Sequence, residues 1–151
     1  MEELLNKYNG KLYDRKAIEK WNLPEGIKEG MEINENDYFF ITTSKEDQHG
    51  QKHVHLTIYP TKHEVVNLLE VEVPEIIPQV LSHTLELLKE NGCDIITSTG
   101  FCISENYCHF GVFFSVASQL DNDNLILSVK KLKDIRNVRI FKYTCEGYCE
   151  D

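Results

Sequence analysis

Residues 65–100 constrain this chain more than any other stretch. Val65, Leu69, Val71 and Val73 fall on odd positions, with Asn67 the polar exception, and Val66, Leu68, Glu70 and Glu72 on even ones. That period of two predicts a half-buried strand whose even positions turn acidic toward its end. Pro74 and Pro78 then bracket Glu75-Ile76-Ile77. Neither proline fits inside a helix or a central strand, but Pro78 suits a first helical position, where its missing N–H is not needed. Val80, Leu81, Thr84, Leu85 and Leu88 follow at helical spacing. Asn91-Gly92 stops the helix, because glycine accepts the left-handed conformation of a last turn. A second strand is expected from about Asp94.

Downstream, Ser104-Glu105-Asn106-Tyr107 reads as a four-residue turn. It pairs Ile103 with Cys108, Phe101 with Phe110, Thr99 with Val112, Thr97 with Phe114 and Ile95 with Val116. One face of this hairpin becomes almost wholly apolar. The other holds Gly100 opposite Gly111 and Cys102 opposite His109. Asp121-Asn122-Asp123-Asn124 offers caps for a second helix carrying Leu125, Val129 and Leu132 on one side. Val138, Ile140 and Phe141 mark a last strand, and Cys145 to Asp151 a polar tail. The order is β-α-β-β-α-β. It predicts an α+β, ferredoxin-like domain over residues 63–151, with a four-stranded antiparallel sheet and two helices on one face.

Residues 1–62 read as a small β-rich unit in front of it. Tyr13 to Trp21 has the pattern of a short helix, and Asn22 to Gly26 that of a turn. Ile27 to Ile33 reads as a glycine turn entering a strand. Tyr38 to Thr43 is a strand by its aromatic and β-branched content. Lys45 to Lys52 is expected to be a hairpin loop. Val54, Leu56 and Ile58 alternate with His53, His55, Thr57 and Tyr59 in a further strand, which Pro60-Thr61-Lys62 ends.

Charge narrows the function classes. The net charge is −9, and both parts of the chain share it: residues 1–60 carry 8 basic and 11 acidic side chains, residues 61–151 carry 8 and 14. Neither has the basic excess that phosphate neutralisation calls for, which argues against nucleic acid as a partner. No apolar run approaches the roughly 20 residues of a membrane span. The acidic start Met1-Glu2-Glu3-Leu4 has no signal-peptide pattern, so a cytoplasmic location is expected. Five cysteines without a secretory context are expected to be free thiols.

From Val71-Glu72-Val73 through Ile77-Pro78-Gln79-Val80-Leu81 to Gly92-Cys93-Asp94-Ile95, the chain resembles an ACT domain over about residues 64–144. In that family an Asp-x-Pro-Gly-like turn leads from a strand into a helix. The turn is about two residues longer in this chain, and Gln79 stands where the family often has glycine. The resemblance implies a non-enzymatic, dimeric regulatory protein that binds an amino acid or similar small effector at the first strand–helix turn. The residues it marks are Glu75, Ile77, Pro78, Gln79 and Val80. A helix N-terminus can hold a carboxylate, whereas Glu75 would repel one unless it met the effector's ammonium group. The competing reading is a turn that only connects strand to helix.

Two alternatives stand beside this. His49, His53 and His55 lie on or near one hairpin, and imidazoles two apart on a strand can share a metal. Cys145 and Cys149 could chelate or oxidise. The plainer readings are a solvated strand face and a frayed tail, so no metal or cofactor is assigned. Cys102 and Cys108 invite a disulfide by spacing, but the register above puts them on opposite faces and excludes it. Cys102 opposite His109 is then the nearest approach to a nucleophile–base pair, without an orienting third group. The second alternative is a ligand-responsive transcription regulator. Leu23 and Ile27 to Ile33 are similar to a segment of AbrB-type swapped-hairpin DNA-binding modules. Residues 1–30, with six basic and six acidic side chains, lack the charge for it. Phosphate-binding glycine loops and the His-Glu-x-x-His and Gly-x-Ser-x-Gly signatures are absent from the sequence.

Overall fold

The computed structural model describes residues 2–48, 51–117 and 119–150, with side chains for 4–45, 52–117 and 119–146. The chain is α+β, with two antiparallel sheets and five helices among the described residues. It divides into two compact units, Met1–Glu64 with Thr144–Gly147 and Val65–Tyr143 with Tyr148–Asp151. Among the described residues no helix is long and apolar enough to cross a membrane.

The first unit runs α1 (Glu2–Asn6), β1 (Gly10–Asp14), α2 (Arg15–Glu19), α3 (Glu25–Gly30), β2 (Tyr38–Gln48) and β3 (Gln51–Thr61). Its sheet has the order β1-β2-β3. Phe39 and Ile41 of β2 pack with Ile18 of α2 and Met31 into a small core. Three expectations fail there. The helix expected from Tyr13 to Trp21 is confined to Arg15–Glu19. Tyr13 instead pairs with Phe39 in β1 and meets Trp21 edge to face at 4.9 Å. Asp14 sets the helix start by accepting from the Ala17 N–H at 2.8 Å. Ile27 to Ile33 is helix and turn rather than turn and strand. Pro24 precedes the helix with its φ of −58°, Glu25 fills the first turn, and the Met31 N–H bonds the Ile27 carbonyl. The two glycines weigh against helix by propensity, but a proline-set entry and closing backbone bonds outweigh them. The β2–β3 connection is also shorter than expected, because the strands continue through Lys45–Gln48 and resume at Gln51.

The second unit runs β4 (Val66–Val73), α4 (Pro78–Glu90), β5 (Cys93–Ser104), β6 (Tyr107–Val116), α5 (Asn122–Lys130), β7 (Asn137–Thr144) and β8 (Gly147–Glu150), except that the last residue of β7 and the first of β8 group with the first unit. The sheet order is β5-β6-β4-β7-β8, so β4 is central, antiparallel to β6 on one side and β7 on the other. Leu69, Val71 and Val73 of β4, Phe110, Val112 and Phe114 of β6, and Val138 and Ile140 of β7 form one core with Val80 and Leu88 of α4 and Leu125 and Val129 of α5. Both helices therefore pack on the same sheet face. Val66, Leu68 and Glu70 on the other face of β4 are also buried, so this strand is not the half-buried one its alternation predicts. The expected polar tail contains β8.

The β5–β6 register differs from the expected one, with a chemical consequence. Ser104 pairs with Tyr107 across the turn, but Ile103 then bulges out, and Cys102 pairs with Cys108. Phe101 faces His109, Gly100 faces Phe110 and Thr99 faces Gly111. A second bulge at Ile96 precedes the pairs of Ile95 with Phe114 and Cys93 with Val116. Each bulge inserts one unpaired residue and switches the faces of those beyond it. Cys102 and Cys108, with Cα atoms 4.0 Å apart, are thereby brought together and joined as a disulfide. Free thiols and an excluded bridge are both overturned for this pair. Cys93 and Cys145 are free.

Candidate functional site

The site that stands out is a buried ionic cluster on the sheet face away from the helices. Glu70 sits on the central strand, directly opposite Gly111 on β6 and Arg139 on β7. With no side chain across from it at Gly111, its cross-strand contact is the diagonal neighbour His109. Glu70 Oε1 lies 2.5 Å from His109 Nδ1, and Arg139 Nε donates to Glu70 Oε2 at 3.3 Å. The Glu70 and His109 side chains are 0% and 1% exposed, the Arg139 side chain 22%. A carboxylate so buried is tolerable only when paired and hydrogen-bonded, as this one is on both oxygens.

Aromatic rings wall the imidazole. Phe101 stacks on His109 at 5.6 Å and Tyr107 meets it edge-on at 5.0 Å. The Tyr107 hydroxyl hydrogen-bonds the Glu72 carboxylate, and that bond, with the negative charge behind it, raises the phenol above its usual pKa. With Nδ1 engaged by Glu70, the remaining ring nitrogen is Nε2. It is buried and makes no hydrogen bond among the described residues.

Chemically, a carboxylate–imidazole pair with one uncommitted nitrogen resembles half of a general-base relay. The other half is not beside it. The expected juxtaposition of Cys102 with His109 does not occur, since the Ile103 bulge puts Phe101 there and ties Cys102 to Cys108. Nor do the described residues include a group of three or more His, Cys, Asp or Glu side chains able to hold a metal. His53 and His55 lie 6.4 Å apart on exposed β3. His49 lies outside the described residues, as does the side chain of Cys149. Cys145 is exposed, and partial desolvation of its thiol, with the charges of Asp14 and Glu146 adding to it, raises its pKa.

The bend before α4 gathers the five residues marked by the ACT resemblance within one turn. Ile77 is the N-cap in extended conformation, Pro78 opens the helix, and no side chain caps it. Glu75, Pro78 and Gln79 are exposed, Ile77 is half-buried, and Val80 is turned into the core. Ile76 folds back over β5: a Cβ placed on Gly100 would come within 2.7 Å of its Cδ1. Ile76 and Ile77 thus anchor the bend to the core, while the polar backbone of the helix start stays at the surface. No family model matches this sequence, and no curated protein gives a match.

Glu70 and Arg139 were not singled out from sequence, and His109 only as the expected partner of Cys102. The available signal was a glutamate between Leu69 and Val71 on a strand that the β-α-β-β-α-β order makes central. In that place its neighbours come from β6 and β7, and one of them is basic.

Proposed function

We propose that residues 65–144 form a ferredoxin-like, ACT-type sensing module, and that the protein is a non-enzymatic regulator. Its effector is an amino acid or similar small molecule held at the start of α4. The observation that supports this reading is the strand order β5-β6-β4-β7 within the five-stranded sheet, with α4 and α5 on one face, joined to an α4 start that no side chain caps. The step from that arrangement to sensing is fold-level analogy, and the chemistry behind it is the helix N-terminus. Gln79 and Val80 occupy the first turn, where backbone N–H groups favour a carboxylate, and exposed Glu75 offers a partner for an ammonium group. A homodimer fits the same reading. β5 is a twelve-residue edge strand without lysine or proline, the usual protections of a free edge.

A thermal-shift panel of amino acids tests this directly. An effector present at about 100 times its dissociation constant adds roughly 2.7 kcal/mol of stability. Gln79→Glu then weakens the response by repulsion while leaving the ligand-free melt unchanged or slightly raised, because an acidic side chain suits a helix N-terminus. A flat panel, or a response indifferent to Gln79→Glu, refutes the assignment.

A further inference from the structure

The β5–β6 hairpin is held in one register, and the Cys102–Cys108 disulfide spans it. In the observed one, Ile103 is unpaired, and Ser98, Gly100 and Cys102 point to the helix side with Val112, Phe110 and Cys108. Phe101 points the other way, onto His109. Ile103 is 49% exposed, a large apolar side chain left to solvent. Sliding residues 98–102 by one position removes the bulge at Ile103 and adds its extra residue to the one at Ile96. The turn pair Ser104–Tyr107 and the ladder from Cys93 to Ile95 stay as they are. In the slid register Ile103 faces Cys108 and Phe101 faces Phe110, both on the core side, and Ile76, whose Cδ1 lies 2.7 Å from the Cβ position at Gly100, swings aside for the ring. The hydrophobic alternation of the strand favours that sorting. Cys102 then faces His109, which an intact bond to Cys108 forbids.

We infer that Cys102–Cys108 is a reversible redox latch on the hairpin register, and that reducing it slides β5 by one residue and uncovers His109. Cys102 is exposed and Cys108 buried, so an incoming thiolate reaches the Cys102 sulfur. A dithiol reductant is the co-reactant. Its first thiolate bonds Cys102 Sγ as the Sγ–Sγ bond breaks, and Cys108 leaves as a thiolate that takes up a proton. Its second thiolate then displaces Cys102, which is protonated in turn. Two electrons and two protons pass to the protein, and the reductant leaves as a disulfide. Released from the register, Phe101 leaves the imidazole face, and Gly100 rotates away from Ile76. The inference stands on the hairpin alone and is independent of the effector reading.

The experiment is an NMR comparison of the full-length chain before and after treatment with dithiothreitol, with alkylation and mass spectrometry scoring the bridge. In the oxidised protein the cross-strand Hα contact joins Gly100 to Phe110. In the reduced protein it joins Phe101 to Phe110, and carbethoxylation of His109 rises several-fold while that of exposed His53 and His83 stays constant. Cys102→Thr reproduces the reduced pattern without reductant. Deleting Ile103 regularises the observed ladder, so the deletion keeps the Gly100–Phe110 contact under reduction. Four results overturn the inference: two free thiols in the untreated protein, a reduced protein that keeps the Gly100–Phe110 contact, global unfolding on reduction, or a redox-dependent shift that survives the deletion.

Discussion

Glu70 shows how much one residue's meaning depends on its neighbours. On paper it belongs to the acidic half of an alternating strand, where water would be its partner. In the fold it is fully enclosed, between His109 Nδ1 and the Arg139 guanidinium. Removing one partner of such a cluster strands the others, which costs about 3–5 kcal/mol. Glu70→Ala is therefore expected to lower stability by that amount in urea unfolding. Arg139→Ala costs less, because that side chain reaches solvent. Cys93 offers a second test at this scale. Burial, with Asp94 adding to it, pushes its thiol up to about 11. Below the ordinary thiol range both folded and unfolded chains hold this proton. As pH rises the unfolded chain releases it first, so stability falls progressively until the folded thiol also ionises near 11. The urea midpoint should drop between pH 8 and pH 10.5, and Cys93→Ala should flatten that slope. At pH 8, exposed Cys145 should alkylate well before Cys93 does.

Elements were legible in proportion to how locally they are encoded. Both ends of α4 follow from Pro78 and Asn91-Gly92, and the start of α5 from the Asp121–Asn124 run, because caps are chosen by residues within one turn, whereas α5 ends at Lys130, short of the expected Leu132. Asp121 accepts from the Asn124 N–H at 3.1 Å, so Asp121→Ala should cost about 1 kcal/mol. Gly92 has φ +76°, and Gly92→Ala should cost about 1–2 kcal/mol in the same thermal or urea measurement. The bulges of β5 were not legible. Pairing outward from the turn gives Ser104 with Tyr107 correctly, but nothing local in Ile103 or Ile96 announces an extra residue. Long-range demands decide there: the bond between Cys102 and Cys108, the ring of Phe101 on His109, and Ile76 seated over Gly100. Gly100→Ala places a methyl against Ile76 Cδ1, the movable end of a flexible side chain. Its expected cost is at the low end of the roughly 1–3 kcal/mol range of overpacked sites, with the loss partly restored by Ile76→Val.

At the scale of the whole chain, hydrophobic period and proline placement set the β-α-β-β-α-β order from Val66 onward, and the structure contains that order with β8 added in the expected polar tail. The unit in front of it was harder to read, because its helices are five or six residues long and two of them abut strands or turns without a repeat to announce them. One further property could not be read from a linear boundary at all. Thr144–Gly147 clusters with the first unit, although the residues just before and just after it cluster with the second. The backbone thus crosses between units at 64/65, 143/144 and 147/148. A protease nick after Glu64 would yield an N-terminal piece missing four residues of its own unit, carried away on the other piece. A cut at that point severs one of the three crossings and leaves the other two on a single fragment.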